Sequence, residues 1–174
     1  MIRELWSALE KIENHLVRLG REALLSSLQP GLHLTEVKRQ LAGSGLRSLE
    51  LESLYSWRNG SATDKIAVLD DLHIMPGFYL LSLEDALENY RVFVADARWT
   101  VGWLPILENG GGDFYAVDTS VKVGPQPVYA FRIEQGHHPI EFNSIADMFG
   151  TFAEAFERGV FFVDVDGYLE MDDL

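Results

Sequence analysis

Leu5, Leu9, Ile12, Leu16, Leu19 and Ala23 recur at alternating spacings of four and three. That period places them on one face of a helix, so the pattern predicts a helix from about Ile2 to Leu28, stopped by Pro30-Gly31. Val37 and Leu41 predict a shorter helix over Thr35 to Leu41, with Thr35 as its N-cap, and Gly43-Ser44-Gly45 breaks the chain after it. Leu46, Leu49, Leu51, Leu54 and Tyr55 mark another helix, and Asn59-Gly60 is its expected C-cap.

The later chain has the shorter apolar runs of strands. Phe78 to Leu81 is one such run. Ser82-Leu83-Glu84-Asp85 has the form of a capping box and predicts a helix through about Phe93. Trp103 to Leu107 predicts a strand that must accommodate Pro105 at an edge or a bulge, because proline has no amide to give a ladder. Phe114 to Asp118 and Val128 to Ile133 predict two further strands around a Gly124-Pro125 turn region. Ser144 to Asp147 is a second capping box, before a helix carrying Ile145, Met148, Phe149, Phe152 and Phe156. Val160 to Val165 and Tyr168 to Met171 flank Asp166-Gly167, which suits a two-residue type I′ hairpin turn. Helices first, then short strands interrupted by helices, predict an α+β fold with N-terminal helices, a mainly antiparallel or mixed sheet and a late helix. Strict βαβ alternation is absent, which disfavours a doubly wound nucleotide-binding fold.

With 174 residues, 47% of them hydrophobic, the chain is sized for one domain with a packed core, expected to span residues 1–174. The net charge of −13 argues against a nonspecific nucleic-acid surface and against docking on anionic lipid. It makes a basic protein partner more plausible. Residues 1–87 hold nine basic and twelve acidic side chains, net −3, whereas residues 88–174 hold five and fifteen, net −10. No cysteine is present, so disulfides, thiolate metal sites and cysteine nucleophiles are excluded. Neither a signal peptide nor a span-length apolar run is visible, and a cytoplasmic protein is expected.

Candidate chemistry is sparse. Asn109-Gly110-Gly111-Gly112-Asp113 offers successive backbone amides to an anion. It lacks lysine and carries carboxylates at Glu108 and Asp113, so a tight turn with at least one glycine at positive φ is the expected role. His137-His138 lies near Glu134 and Glu141, yet adjacent side chains on an extended segment point to opposite faces and chelate poorly. Glu108 with Asp113 or Asp118 is a nominal acid–base pair, but paired carboxylates carry little information in so acidic a chain. A Ca²⁺ loop with Gly167 at its sixth position would begin at Phe162, which cannot ligate. No cofactor or metal is therefore expected. Asp164, Asp166, Glu170, Asp172 and Asp173 read either as a solvated hairpin face or as a protein-binding patch. Trp99, Trp103, Phe114 and Tyr115 read as core in preference to an exposed platform.

Two segments carry a family resemblance. Leu51 to Gly60 is similar to the aromatic-containing helix ending in Asn-Gly of the SMI1/KNR4 family, also called the SUKH superfamily. Trp103 to Asp118 resembles that family's Trp-x-Pro motif, followed by Gly-Asp and a strand ending in Asp. The matching positions are Tyr55, Asn59, Gly60, Trp103, Pro105, Gly112, Asp113 and Asp118. A Leu-Pro pair usual before the Asn-Gly helix is replaced here by Leu46-Arg47-Ser48-Leu49. The resemblance implies a noncatalytic α+β domain with no transferable catalytic residue. Many bacterial members look like immunity proteins that neutralise toxins, and fungal relatives act in cell-wall regulation. The acidity favours an immunity-type protein whose partner is a toxin domain, such as a basic nuclease. An intracellular adaptor or regulatory module of the same fold is the alternative. Oligomeric state is left open.

Overall fold

The computed structural model describes residues 2–65 and 68–172. The first apolar stripe winds into α1 (Ile2–Arg18), with Leu5, Leu9, Ile12 and Leu16 fully buried. This helix ends earlier than the stripe predicts. Gly20 takes φ +68°, the Arg21 amide donates to the Leu16 carbonyl (3.0 Å), and the Gly20 amide donates to the Val17 carbonyl (3.1 Å). That pair of bonds is a Schellman cap, and it redirects the chain. Leu24 is consequently buried while Ala23 is exposed. A separate helix α2 (Glu22–Ser27) follows, and Leu28–Pro30 is strand β1, not the tail of a helix.

Helix α3 (Leu34–Gly43) is capped by His33, whose Nδ1 accepts the Thr35 amide at 3.4 Å, so Thr35 lies inside the helix and is not its cap. Helix α4 (Leu49–Trp57) is capped by Ser48, whose Oγ accepts the Leu51 amide at 3.1 Å. The chain then leaves in extended geometry at Arg58 (φ −144°, ψ 138°), and Arg58–Ser61 pairs antiparallel with β1 as strand β2. Asn59-Gly60 is therefore strand, not a helix C-cap. The expectation fails because Asn-Gly also suits a strand in which another backbone passes too close for a side chain.

A six-stranded antiparallel sheet forms the second half: β3 (His73–Met75), β4 (Phe78–Leu80), β5 (Trp103–Glu108), β6 (Phe114–Asp118), β7 (Val128–Phe131) and β8 (Ile140–Phe142), adjacent in chain order. Pro105 is tolerated in β5 because the register shifts between Pro105 and Leu107, and because β4 pairs only with Leu107 and Glu108. Ser82 and Ser144 cap α5 (Leu83–Phe93) and α6 (Ile145–Glu157) as expected, each Oγ accepting the amide three residues on at 3.0 Å.

Alternation along β6 and β7 sorts the core. Phe114 and Phe131 meet Phe93 of α5 and the Trp99 ring on one face. Tyr115 meets Phe142 on the other, and Phe142 packs on Phe152 of α6. Helix α1 packs on α6 and α4, and the buried residues form one contiguous cluster. The fold is α+β.

Strands β9 (Phe161–Val163) and β10 (Leu169–Met171) form a separate antiparallel hairpin. Its turn is not the expected two-residue type I′ turn, which needs positive φ at Asp166. Among the described residues no non-glycine has positive φ. Instead the Gly167 amide donates to the Asp164 carbonyl (3.2 Å), Gly167 takes φ +93°, and the Asp164 amide donates to the Tyr168 carbonyl (2.9 Å). This is a three-residue loop, Val165 to Gly167. The Asp164 carboxylate selects it by accepting the amides of Asp166 and Tyr168, both at 2.9 Å.

Candidate functional site

The motif positions face inward, and each has a structural task. Tyr55 is fully buried on α4, and burial pushes its phenol pKa well up, with Asp85 adding to the effect. The Asn59 Oδ1 accepts the Leu83 amide at 3.0 Å, satisfying a first-turn donor of α5. Gly60 has φ +74°, and a Cβ there would lie 2.2 Å from the Ser82 nitrogen and 2.4 Å from the Leu81 carbonyl carbon. Strand β2 and the entry to α5 thus touch backbone to backbone, which only glycine permits.

Trp103 is buried, stacked on Tyr129 with centroids 4.2 Å apart, and its carbonyl accepts the Trp99 Nε1–H at 3.1 Å. Trp99, Phe114 and Tyr115 are buried as well, so this cluster is core and not a recognition platform. Pro105 sits opposite Ala116 at the bulge of β5. Gly110 and Gly112 both take positive φ (78° and 93°), and a Cβ on Gly112 would meet the Ile133 Cδ1 at 2.8 Å. The Asp113 carboxylate joins this loop to the end of β7. Its Oδ1 accepts the Ile133 amide (2.9 Å) and its Oδ2 accepts the Asn109 Nδ2–H (3.1 Å). The loop amides of Gly111 and Asp113 both donate to the Asn109 Oδ1 (2.7 and 3.1 Å), which takes up two of the donors an anion would use. At the far end of β6, the Asp118 Oδ1 accepts from the Ser120 amide (2.9 Å) and hydroxyl (2.5 Å).

The nominal pair of Glu108 and Asp118 does not assemble, and the Asp113 carboxylate, in the same turn as Glu108, is engaged with the Ile133 amide and Asn109. Asp118 lies opposite Trp103 and Glu108 opposite Phe114, at the two ends of β5 and β6, roughly 15 Å apart at the rise of a strand. Glu108 instead accepts a hydrogen bond from Tyr79, and burial pushes its carboxyl pKa upward. His138 does not join a chelate. Its Nδ1 accepts the Arg132 amide (3.3 Å), its ring packs on Phe131, and burial followed by Arg98 lowers its pKa. Among the described residues, no group of three or more His, Cys, Asp or Glu side chains is placed to hold a metal ion.

The acids singled out from the sequence lie on and just beyond the β9–β10 hairpin. Phe162 pairs with Glu170, and Asp164 with Tyr168, so these side chains share the outer face, while Leu169 is buried on the inner one. Of the acids singled out from sequence, Asp166, Glu170 and Asp172 are exposed. Asp164 is occupied in shaping the turn. Asp173 lies outside the described residues.

The periodicity does not show how this hairpin is held. Arg21 is buried at the cap after α1. Its Nη1–H donates to the Gly167 carbonyl (2.8 Å) and its Nη2–H to the Asp70 carbonyl (2.7 Å). One guanidinium therefore joins the hairpin tip to the 3₁₀ turn Leu69–Leu72, and brings Asp70 and Asp71 beside the acidic strand pair. Burial lowers the Arg21 pKa, with Asp71 and Asp70 acting in the opposite sense. His73, buried next to this turn, contacts the Asp70 Oδ1 at 3.2 Å through Nδ1, and burial lowers its pKa. The adjacent acids in Asp70-Asp71 were the only sequence signal for this neighbourhood, and nothing local ties them to residues about a hundred positions later.

Elsewhere, a groove of about 630 Å³ lies between α3, the start of α4 and the 121–126 segment. Buried Glu50 lines it, but the carboxylate is engaged with the first amides of α6, Ile145 (3.1 Å) and Ala146 (3.3 Å), and burial raises its pKa. Among the described residues no helix is long and apolar enough to cross a membrane.

Helices on both sides of a sequential antiparallel sheet, with a glycine–aspartate turn pinned to the next strand, define an α+β scaffold whose motif residues build the fold. The family model of the SMI1 / KNR4 family (SUKH-1) matches residues 48–155, and the chain belongs to that family. The match covers α4 through nearly all of α6 and ends before the hairpin. No curated protein matches the chain.

Proposed function

We propose that this protein is a noncatalytic immunity-type protein that binds and neutralises a bacterial toxin domain. Membership of a family that includes immunity proteins supports this reading. The observation that carries it is an exposed acidic hairpin, on a chain of net charge −13, held to the body of the molecule by a buried arginine. Such a surface complements a basic nuclease, which needs positive charge to hold its own substrate. Attraction between opposite potentials raises the association rate and is screened by salt. The test is expression of the products of neighbouring reading frames, with and without this protein, combined with affinity capture from the producing cells. Protection against one such product and its direct capture are expected. Protection against none, with capture of a housekeeping complex in its place, would move the chain to the adaptor class.

A further inference from the structure

The hairpin is not purely acidic. Val165 at its tip is fully solvent-exposed (101%), and the rings of Phe162 and Tyr168 on its outer face are exposed by 37% and 38%. Across the Arg21 joint, Val68 and Leu69 are exposed by 41% and 40%. Two segments distant in sequence, tied through one guanidinium at the carbonyls of residues 70 and 167, thus carry exposed apolar side chains, with Leu69 also lying against Gly110 of the β5–β6 turn. Exposed apolar groups gathered in this way and rimmed by charge mark interaction surfaces, whereas scattered ones need no explanation.

Glu13, Glu36, Asp96, Glu154 and Glu157 are paired with Arg58, Arg39, Arg98, Arg158 and Lys11. Among the described residues, Asp166, Glu170 and Asp172 form no ion pair, as is also true of exposed Glu10, Glu22, Glu84, Glu88, Glu134 and Glu141, so this face is set apart by the apolar groups that its acids surround. Arg21, which joins the hairpin to the turn, is buried against backbone carbonyls. The rim therefore keeps its negative charge for a partner. Nucleic acid and anionic lipid are repelled by it.

We infer that the toxin docks on this composite face, and that its complementary surface is an apolar socket ringed by Lys or Arg. The inference rests on the toxin-binding reading and extends it by naming both contact segments and the partner's chemistry. Desolvation of Val165, Tyr168, Phe162, Val68 and Leu69 holds the complex together, and the acids steer encounter and fix orientation. Arg21 is a positioning residue, because the face exists only while the hairpin tip and the Leu69–Leu72 turn are joined.

The experiment uses the full chain and the toxin domain encoded beside it, with rates measured by stopped flow at low and moderate salt. Val165→Ser/Tyr168→Ser should raise the off-rate about tenfold or more and change the on-rate little. Val68→Ser/Leu69→Ser should shift the off-rate in the same direction. Glu170→Gln/Asp172→Asn should lower the on-rate at low salt and leave the off-rate nearly unchanged. Val92→Ser, exposed on α5, is the control and should change neither rate. Glu170, Asp172, Val165 and Val92 are largely exposed, whereas Tyr168, Val68 and Leu69 are about two-fifths exposed, so rates are compared well below each variant's melting temperature, with the unfolding curve showing a folded chain. If the unmodified chain binds the toxin and the Val165/Tyr168 variant dissociates no faster, the face is wrong while the functional reading stands. An effect confined to the hairpin variants overturns the composite face. Failure of the unmodified chain to bind or protect overturns the functional reading and this assignment together.

Discussion

The Trp103–Asp118 block and the Phe161–Met171 hairpin are both antiparallel strand pairs closed by glycine-containing turns, yet they spend their polar groups in opposite directions. In the first, Asn109, Asp113 and Asp118 turn their side chains onto backbone amides, and β6 between the loops is wholly buried. In the second only Asp164 does so, and Asp166, Glu170 and Asp172 point to water beside exposed aromatic and aliphatic groups. The family match covers the first region and stops short of the second. The residues that identify the family are therefore those that build the scaffold. The face proposed here for a partner combines a hairpin that the family match does not cover with the Val68–Asp71 turn that it does.

The sharpest way to break this contrast is at Gly60. A valine there meets the Ser82 backbone and must also hold positive φ, so Gly60→Val should lose about 3 kcal/mol or more, or fail to fold. A urea midpoint within error of the unmodified chain would show that the β2–α5 approach is not a constraint. Trp103→Ala should cost roughly 3 to 5 kcal/mol by emptying the centre of the aromatic layer, read from the same midpoint. Asp113→Ala should cost about 1 to 3 kcal/mol, because the Ile133 amide loses its acceptor. Hydrogen exchange should quicken at Ile133 and in the 109–113 loop, and unaltered protection there would remove Asp113 from the scaffold.

Acid should sharpen the comparison at the joint between the regions. His73 and His138 have folded-state pKa values lowered from about 6.5, chiefly by burial. The unfolded chain therefore takes up their protons first. Their contribution is fully present above that value and declines as pH falls through it toward the lowered folded values. The urea midpoint should drop between pH of about 7.5 and 5.5, and His73→Gln should flatten the decline. Burial of the Glu50 and Glu108 carboxyls acts in the opposite sense, so the His73 contribution is read as the difference between the two chains, and a His73→Gln profile parallel to that of the unmodified chain would reject it. The smallest effect belongs to the hairpin rim. Glu170→Gln/Asp172→Asn should change stability by no more than about 0.5 kcal/mol, since both are exposed and unpaired. A larger loss in thermal or urea unfolding would make the rim part of the scaffold and erase the distinction between the two regions.

Several features whose hydrogen bonds close within a few residues were legible in the chain alone. Ser82 and Ser144 cap their helices because each hydroxyl needs only the amide three residues on. The strand Phe114–Asp118, the positive φ of Gly110 and Gly112, and the bulge at Pro105 follow from equally local sterics. Two other local features were masked by stronger patterns: Gly20 ends α1 inside an uninterrupted apolar stripe, and the Asp164 carboxylate draws the hairpin into a three-residue loop where Asp166-Gly167 suggests a two-residue one. Tertiary structure decided the rest, beginning with Gly60, which serves a contact with residues 81 and 82 in place of a helix cap. The acids themselves were readable as a cluster, but their union with Val68–Asp71 was not. It depends on one buried guanidinium bridging carbonyls at positions 70 and 167, and a carbonyl acceptor leaves no mark on residue identity, because every residue has one.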